Sequence, residues 1–584
     1  IHCLNHNLNI YKGSVHQIKY QVQPWNATDK RIIWQSNDSS IAIVSALGTI
    51  TAIDSGSCLI IGRMFDNQNS SDTIHLHVWN SRGPFFVTSD APESGTGLNW
   101  GDPINLQALL KILNTRVDND TATLLLAEGF YKPTETRDRN ISFDLSNVRV
   151  LGGFSIMSQN TDTTQRNIQL YPTVLSGDIG IQNDNFDNSY HVIRASKNVL
   201  LDGLTIQDGR ASCSSYGWTP GIYYFKPDDN GGGVFILGTL SSVTMKNCII
   251  QNNSAWNSGG GVFCMRSNIN VNNSTSLNIF NSDINNNIIQ QEIITTGGIF
   301  NIVVNGNGGG LAMATSKLHL KNCRFFENHA AGYGLAMYLA GSIAKVENNS
   351  FYNNYGSMED VWVKDGSTMT MKNSTIEGRL VAFSQSTLNL ESITINKGGY
   401  VGGSGNHMNI NNSIWSGVNL NAIPDTGFVS VSHSIMGNLL IGDNKYDIIS
   451  DSIPACIYFL DTIAYNGGPT PTMRLKNIPF NPAKSMGNPL YLDSLDQRGY
   501  LRKDSVSIGA YQWIHPDSIS VAAAANSICQ GDSAMMDVTF FPPYVDDSTY
   551  SVQNINDTIA FSDSAFVHAL SAGNAKIVVS ANDG

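Results

Sequence analysis

The sequence predicts an all-β chain built around a parallel β-helix, a single-stranded solenoid, and three observations carry that prediction. A short apolar-alternating strand followed by asparagine recurs between about 199 and 413, as in VTMKNCIIQN (243–252), LHLKNCRFFEN (318–328), AKVENNSFYNN (344–354) and MTMKNSTIEG (369–378). Laid under one another, these segments share one column: Gly203, Asn247, Asn281, Asn322, Asn348, Asn373, Ser392 and Asn412. Each unit shows period-2 alternation and no helical period, so it cannot bury its apolar face alone and must stack on its neighbours. The third observation is composition: charged residues are only 14% and Gly is 53 of 584, which suits turns and ladders in place of surface helices.

Asparagine suits the column because it tolerates left-handed backbone angles and because its amide can bond to the amides one coil above and below. Gly203 meets the same backbone need without a side chain. Column steps of 26, 25, 19 and 20 residues from 322 onward fit one coil each, whereas the earlier steps of 44, 34 and 41 leave room for two coils or one coil with an insertion.

In chain order, residues 1–80 read as a small β-sandwich: IIWQSNDSSIAIVSALGTITAIDSGSCLIIGRM (32–64) alternates short β runs with Asn-Asp, Leu-Gly and Ser-Gly turns. A solenoid spans 81–514. It opens with a helix at about 102–114, in which Asp102 is the N-cap, Pro103 the first helical residue and Ile104, Leu106, Leu109, Leu110 and Leu113 the apolar side. That helix is expected to cover the first coil, whose core and strand edges would otherwise be open. Residues 515–584 repeat the first module, since TIAFSDSAFVHALSAGNAKIVVSANDG (558–584) superposes on residues 40–67 and ends where a last strand is expected to begin. The chain also opens on Ile1 without Met, and both ends read as those of a trimmed or longer product.

Trp34, Ser36, Ala42, Val44, Gly48, Thr51, Ala52 and Gly56 fall where the first module resembles bacterial immunoglobulin-like group 2 modules, which implies a spacer or adhesive unit on secreted and surface proteins. LLLAEGFYKPTETRDRNISFDLSNVRVLGGFS (124–155) and VLLDGLTIQDG (199–209) resemble the opening of right-handed parallel β-helix repeat proteins of the pectin-lyase-like superfamily. GGGVF (231–235 and 259–263) with FFEN (325–328) and FYNN (351–354) looks like the repeats of polymorphic outer-membrane proteins. AYNGGPTPTM (464–473) with DQRGYLRKDSVSIGAYQW (496–513) is similar to the closing segment of choice-of-anchor Q proteins. The resemblance covers about 90–513 and implies a bacterial cell-surface or secreted protein, outer-membrane associated. It does not fix an activity, because this fold hosts lyases, hydrolases and adhesins alike.

Lyases of that superfamily place a Lys or Arg base beside carboxylates that hold Ca²⁺, and the position before the asparagine column offers Asp202, Lys246, Lys321, Glu347, Lys372 and Glu391, with Arg324, Glu327 and Arg379 a few residues on. Lys321, Glu347, Lys372 and Arg379 are the catalytic candidates, against the plainer reading of a charge-complementary stack on a solvated face. No cofactor or metal site is expected, since the 12 histidines form no metal-spaced pair, and Ca²⁺ is the one exception that the resemblance allows. A second candidate is the insertion 211–230, where Tyr216, Trp218, Tyr223, Tyr224 and Phe225 could stack on sugar faces and Asp228 and Asp229 add polar contacts, or where the rings fold back as a satellite core. His191 reads as structural.

A net charge of −12 and the lack of a Lys/Arg stripe argue against nucleic acid, and no apolar run approaches a membrane span of about 20 residues. None of the eight cysteines forms a C-x-x-C pair; Cys248 and Cys323 sit beside the column as packing residues, and Cys3 and Cys58 are candidates for a bridge. The expected function is that of a monomeric, non-catalytic adhesin or stalk whose flank binds a polysaccharide or a cell-surface partner. The competing expectation is a polysaccharide lyase or glycosidase acting on an acidic polysaccharide.

Overall fold

The computed structural model describes residues 1–79, 83–115, 120–157, 160–212, 227–238, 241–266, 275–289, 293–295, 301–303, 306–356, 358–415, 418–419, 428–436, 459–478, 480–555, 557–563 and 566–582. Three long, wholly parallel sheets dominate it. The first has 12 strands, from Phe85–Val87 to Phe428–Ser432; the second 11, from Gly129–Tyr131 to Ile435–Met436; the third 10, from Phe143–Leu145 to Val418–Asn419. One coil supplies one strand to each, as Lys317–Lys321, Arg324–Phe326 and Met337–Ala340 do in turn. The inward side chains of that coil, Leu318, Leu320, Phe325, Met337 and Leu339, are buried and continue into the next coil, where Phe325 stacks on Phe351 at 4.9 Å.

The asparagine column is the corner between the first and second sheets. Asn247, Asn281, Asn322, Asn348, Asn373 and Asn412 all have φ between 46° and 57°, Ser392 has 51° and Gly203 74°, so the corner consumes one left-handed residue per coil. Amide bonds join Asn322 to Asn281 (3.0 Å) and Asn348 to Asn322 (3.2 Å). The ladder is not continuous: Asn373 Nδ2 donates to Leu495 O, and Asn412 Nδ2 to Ser392 Oγ and Ser507 O. The longer early steps are single coils with insertions, because Val199–Asp202 pairs directly with Ser242–Lys246, and that strand with Ser276–Phe280.

A second, more deeply buried column lies one corner further on. Asn253, Asn287 and Asn328 are 0% exposed, and each Nδ2 donates to the next Oδ1 along Asn253, Asn287, Asn328 and Asn354 at 3.0–3.1 Å. Asn287 also accepts the Asn253 N–H and donates to Ile250 O. Replacing Asn287 with Ala takes these partners from the Asn253 N–H and Ile250 O, at about 1–1.5 kcal/mol each. The expected result is a fall in the denaturant midpoint equivalent to about 2–3 kcal/mol, read by circular dichroism, with no change in the Asn412 corner.

At the N-terminal end the helix runs Leu106–Leu113, shorter than the 102–114 expected. Its N-cap is Asn105, whose side chain accepts from the N–H groups of Gln107 and Ala108, and not Asp102, which accepts from Thr96. The reason is that Ile104 N–H donates to Phe86 O, so the chain is still extended at 104 and cannot turn into a helix at Pro103. Leu106, Leu109, Leu110 and Leu113 cover the first coil together with Tyr11 and Trp79 of the preceding module, both buried in the same core. That module is a sandwich. One sheet pairs Asn7–Tyr11, Ser71–Trp79, Gly56–Met64 and Ile32–Ser36 in that order; the other pairs Val15–Gln17, Thr49–Ala52 and Ala42–Val44. Cys3 and Cys58 are buried free thiols in its core, not a bridge.

Residues 459–513 return along the outside of the solenoid. Thr470 Oγ1 donates to Asn348 O, Gln497 Nε2 to Asn349 O, Ala510 N to Thr394 Oγ1 and Asn488 N to Asn412 Oδ1. Met473, Leu475, Ile508, Tyr511 and Trp513 pack on Ile414 and Ile435, so this segment covers the second sheet's flank over the later coils. The C-terminal strands, Ser518–Ala523 onward, dock on it through Asp546, which takes bonds from Arg474 and from the Ile514 N–H, and Asp547, which takes one from Asn477.

Candidate functional site

The charge column lies in register across the first sheet, as Asp202, Lys246, Phe280, Lys321, Glu347, Lys372, Glu391 and Asn411 on successive strands. Alternating signs pair with one another or with neighbours: Lys372 with Glu391 at 3.4 Å, Asp202 with Arg166 at 2.6 Å, and Glu347 with Lys345 at 2.9 Å and His319 at 3.1 Å. Burial opposes ionisation of Glu347, but its bonds to Lys345 and His319 outweigh it and hold the carboxyl below its ordinary range. Lys321 is exposed on the same face. Arg379 is not with them. It precedes Leu380–Phe383 at the third sheet, so the four catalytic candidates do not converge.

Of the second candidate set, Tyr216, Trp218, Tyr223 and Tyr224 lie outside the described residues. Asp228 and Asp229 form a short turn, Pro227–Asp229, with Asp228 Oδ1 3.9 Å from His191 Nε2. His191 is 3% exposed and stacks on Phe235 at 4.7 Å; burial pushes its pKa down to about 4, so it is a neutral packing residue.

The third sheet carries an arrangement the sequence reading missed. Its outer face places Phe235, Phe263, Ala312, Tyr338, Trp362, Val381 and Tyr400 in one row along the solenoid. Around Trp362 the rings gather, with Tyr333 at 4.0 Å, Phe383 at 5.8 Å and Tyr400 at 5.9 Å between centroids. Tyr333, Phe383 and Tyr400 are half-buried and Trp362 forms the floor at 4% exposure. Two buried polar atoms at this place have no partner among the described residues: Trp362 Nε1, a donor, and Glu359 Oε2, an acceptor.

Burial pushes the Glu359 pKa up against the opposing charge of Arg379. Tyr400 is pushed up to about 12, by burial and then by the Glu359 charge, so phenol, carboxylate and guanidinium share one neighbourhood. Asp360, next in sequence, turns away: its carboxyl meets the Gly378 N–H and the Asn354 side chain. The signal was present in the outward position of VWVK (361–364) and GYV (399–401). It is invisible unless the third-sheet strands are aligned with one another, and the irregular corners before them hide that alignment.

A parallel β-helix headed by a β-sandwich is therefore the class of protein that this fold defines. Residues 5–97 match the family of bacterial Ig-like domains, group 2, a span that runs past the sandwich into the first solenoid strand. No curated protein matches the chain. A solved structure described as "The complex structure of XylC with xylose" is similar at 10% identity and a TM-score of 0.38, over 74% of this chain and 98% of that one. A likeness that slight bears on neither ligand nor activity.

Proposed function

We propose that this is a bacterial cell-surface glycan-binding protein, and that the aromatic face around Trp362 holds neutral sugars without turning them over. The observation that carries the reading is the pair of unpartnered buried atoms, Trp362 Nε1 and Glu359 Oε2, beneath the half-exposed rings of Tyr333, Phe383 and Tyr400. Sugar rings offer apolar faces to aromatic side chains, and their hydroxyls both accept and donate, which is what an idle indole N–H and an idle carboxylate oxygen lack. A buried polar group left unpaired costs about 1–3 kcal/mol, so a ligand that pairs it gains that much.

Several features support the wider reading. The Ig-like module at 5–97 is typical of bacterial surface proteins. The closing segment covers the second sheet's flank over the later coils and Lys372 pairs with Glu391 on the first, while among the described residues the third sheet keeps Trp362 Nε1 and Glu359 Oε2 without a partner. A hydrolytic role would need two carboxyls facing substrate, whereas Asp360 is engaged with Gly378 and Asn354.

The test is a titration with a panel of neutral and acidic oligosaccharides, followed by tryptophan fluorescence and by reducing-end release. Tyr400→Ala and Glu359→Gln should each weaken neutral-glycan binding about tenfold or more while the circular dichroism spectrum is kept. Unchanged affinity in both variants would remove this face from the function. Reducing ends or unsaturated uronate released by the wild type would establish the enzymatic alternative instead.

A further inference from the structure

We propose that His2, His6 and Asp72 form a binding site for a divalent transition-metal ion, of which zinc is the test case, at the outer edge of the Ig-like module. His6 Nε2 lies 3.1 Å from both carboxylate oxygens of Asp72, and His2 Nδ1 lies 3.7 Å from Oδ2. One ligand atom from each residue falls within 4.8 Å of the others. Tetrahedral zinc, with bonds of about 2.0–2.2 Å, needs ligand atoms about 3.3–3.5 Å apart, so the three are within a small side-chain adjustment of that spacing. Among the described residues this is the one group of three or more His, Cys, Asp or Glu side chains so placed.

The carboxylate is held in advance. The Cys3 N–H donates to Asp72 Oδ2 at 2.6 Å and the Thr73 N–H to Oδ1 at 2.8 Å, fixing its direction as outer-shell donors do at metal centres. Burial opposes ionisation of Asp72, yet these bonds and His6 hold its carboxyl below the ordinary range, in the charged form a metal needs. Cys3 lies behind it as a buried thiol, pushed up to about 11 by burial and then by the Asp72 charge, and so stays protonated. The resulting set is two imidazoles and one carboxylate, 60%, 47% and 17% exposed, open to solvent on the remaining side. Such a set suits zinc, nickel, cobalt and copper(II) and is a poor match for calcium, which takes oxygen ligands.

An ion there ties residues 2–6 to the strand Ser71–Trp79 and fixes the sandwich edge formed by His2–Cys3 with Tyr20–Gln21. The experiment is calorimetric titration of the tag-free full chain with zinc chloride, alongside the visible spectrum with cobalt(II). One equivalent should bind, with cobalt bands of a four- or five-coordinate site. His2→Ala, His6→Ala and Asp72→Asn should each weaken binding at least tenfold, whereas His75→Ala, exposed on the same strand as Asp72, should leave it unchanged. The two histidines are exposed, so their replacement tests the site without unfolding the module. No binding by the wild type, or wild-type affinity in both His2→Ala and His6→Ala, would overturn the proposal.

Discussion

Replacing Asp496 with Asn should release the closing segment from the solenoid. Asp496 is 0% exposed and accepts four bonds, from the backbone N–H groups of Arg498, Tyr500 and Gln512 and from Arg498 Nε, at 2.9–3.0 Å. Two cations are buried around it. Arg498 is 6% exposed, and Arg502, at 0%, donates to Ser507 O and Gly509 O and has no ion pair among the described residues. Burial pushes Arg502 down to about 10, and the charge that opposes this most is that of Asp496.

An isosteric amide keeps one acceptor but removes the carboxylate bonded to Arg498 and the charge that most opposes the burial of Arg502, and breaking a buried ion pair in this way costs about 3–5 kcal/mol. The neighbouring contacts depend on the same turn: Gln497 reaches Asn349 O, Ser350 Oγ and Thr375 Oγ1 from the next position. Hydrogen exchange over 459–513 should accelerate by a factor on the order of a hundred or more, while the strands before 344 keep their protection. Exchange as slow as in the wild type would mean that the segment is held by its apolar contacts with Ile414 and Ile435 and not by this cluster.

The solenoid was legible because its signal is local and repeated. Asn322, Asn348 and Asn373 recur at nearly constant spacing for one steric reason, the left-handed corner, and the residues just before them alternate with period 2. The deeper column of Asn253, Asn287 and Asn328 obeys the same chemistry and stands six residues after Asn247, Asn281 and Asn322, so the same alignment carried it; only the structure shows which of the two is the buried one. The site was harder still. Trp362, Tyr400 and Tyr333 come from three different stretches: the register of the third sheet aligns Trp362 with Tyr400, and Tyr333 reaches them from the corner before Met337–Ala340. Lys321, Glu347 and Lys372 stood out because they flank the visible column, yet Lys372 is paired with the in-register Glu391, Glu347 is taken by Lys345 and His319, and Lys321 is exposed on the same open face. Period alone locates a face; it does not say which of three faces is left unsatisfied.

Asp360 makes stability depend on pH in a direction opposite to that of an ordinary paired carboxylate. Burial pushes its pKa up from 3.8 to about 7, against the charge of Lys397 and the Gly378 N–H. A Cβ at 378 would sit 1.8 Å from Asp360 Oδ2, which accounts for glycine at that corner. Between pH 4 and 7 the folded state therefore holds a proton that the unfolded chain has released. Stability falls as pH rises through that window and is level above it, because the slope follows protons bound unfolded minus protons bound folded. At 1.36 kcal/mol per unit, the span amounts to about 4 kcal/mol. Asp360→Asn mimics the protonated acid, so it should match the wild type at about pH 3.5 and below and exceed it by about 2–4 kcal/mol at pH 8 in urea unfolding. The difference between the two proteins isolates this carboxyl from every other group that titrates. Parallel pH profiles would show instead that Asp360 is ionised in the fold, with Lys397 and the Asn354 amide neutralising it, and that the end of the buried asparagine column is an anion site and not a protonated cap.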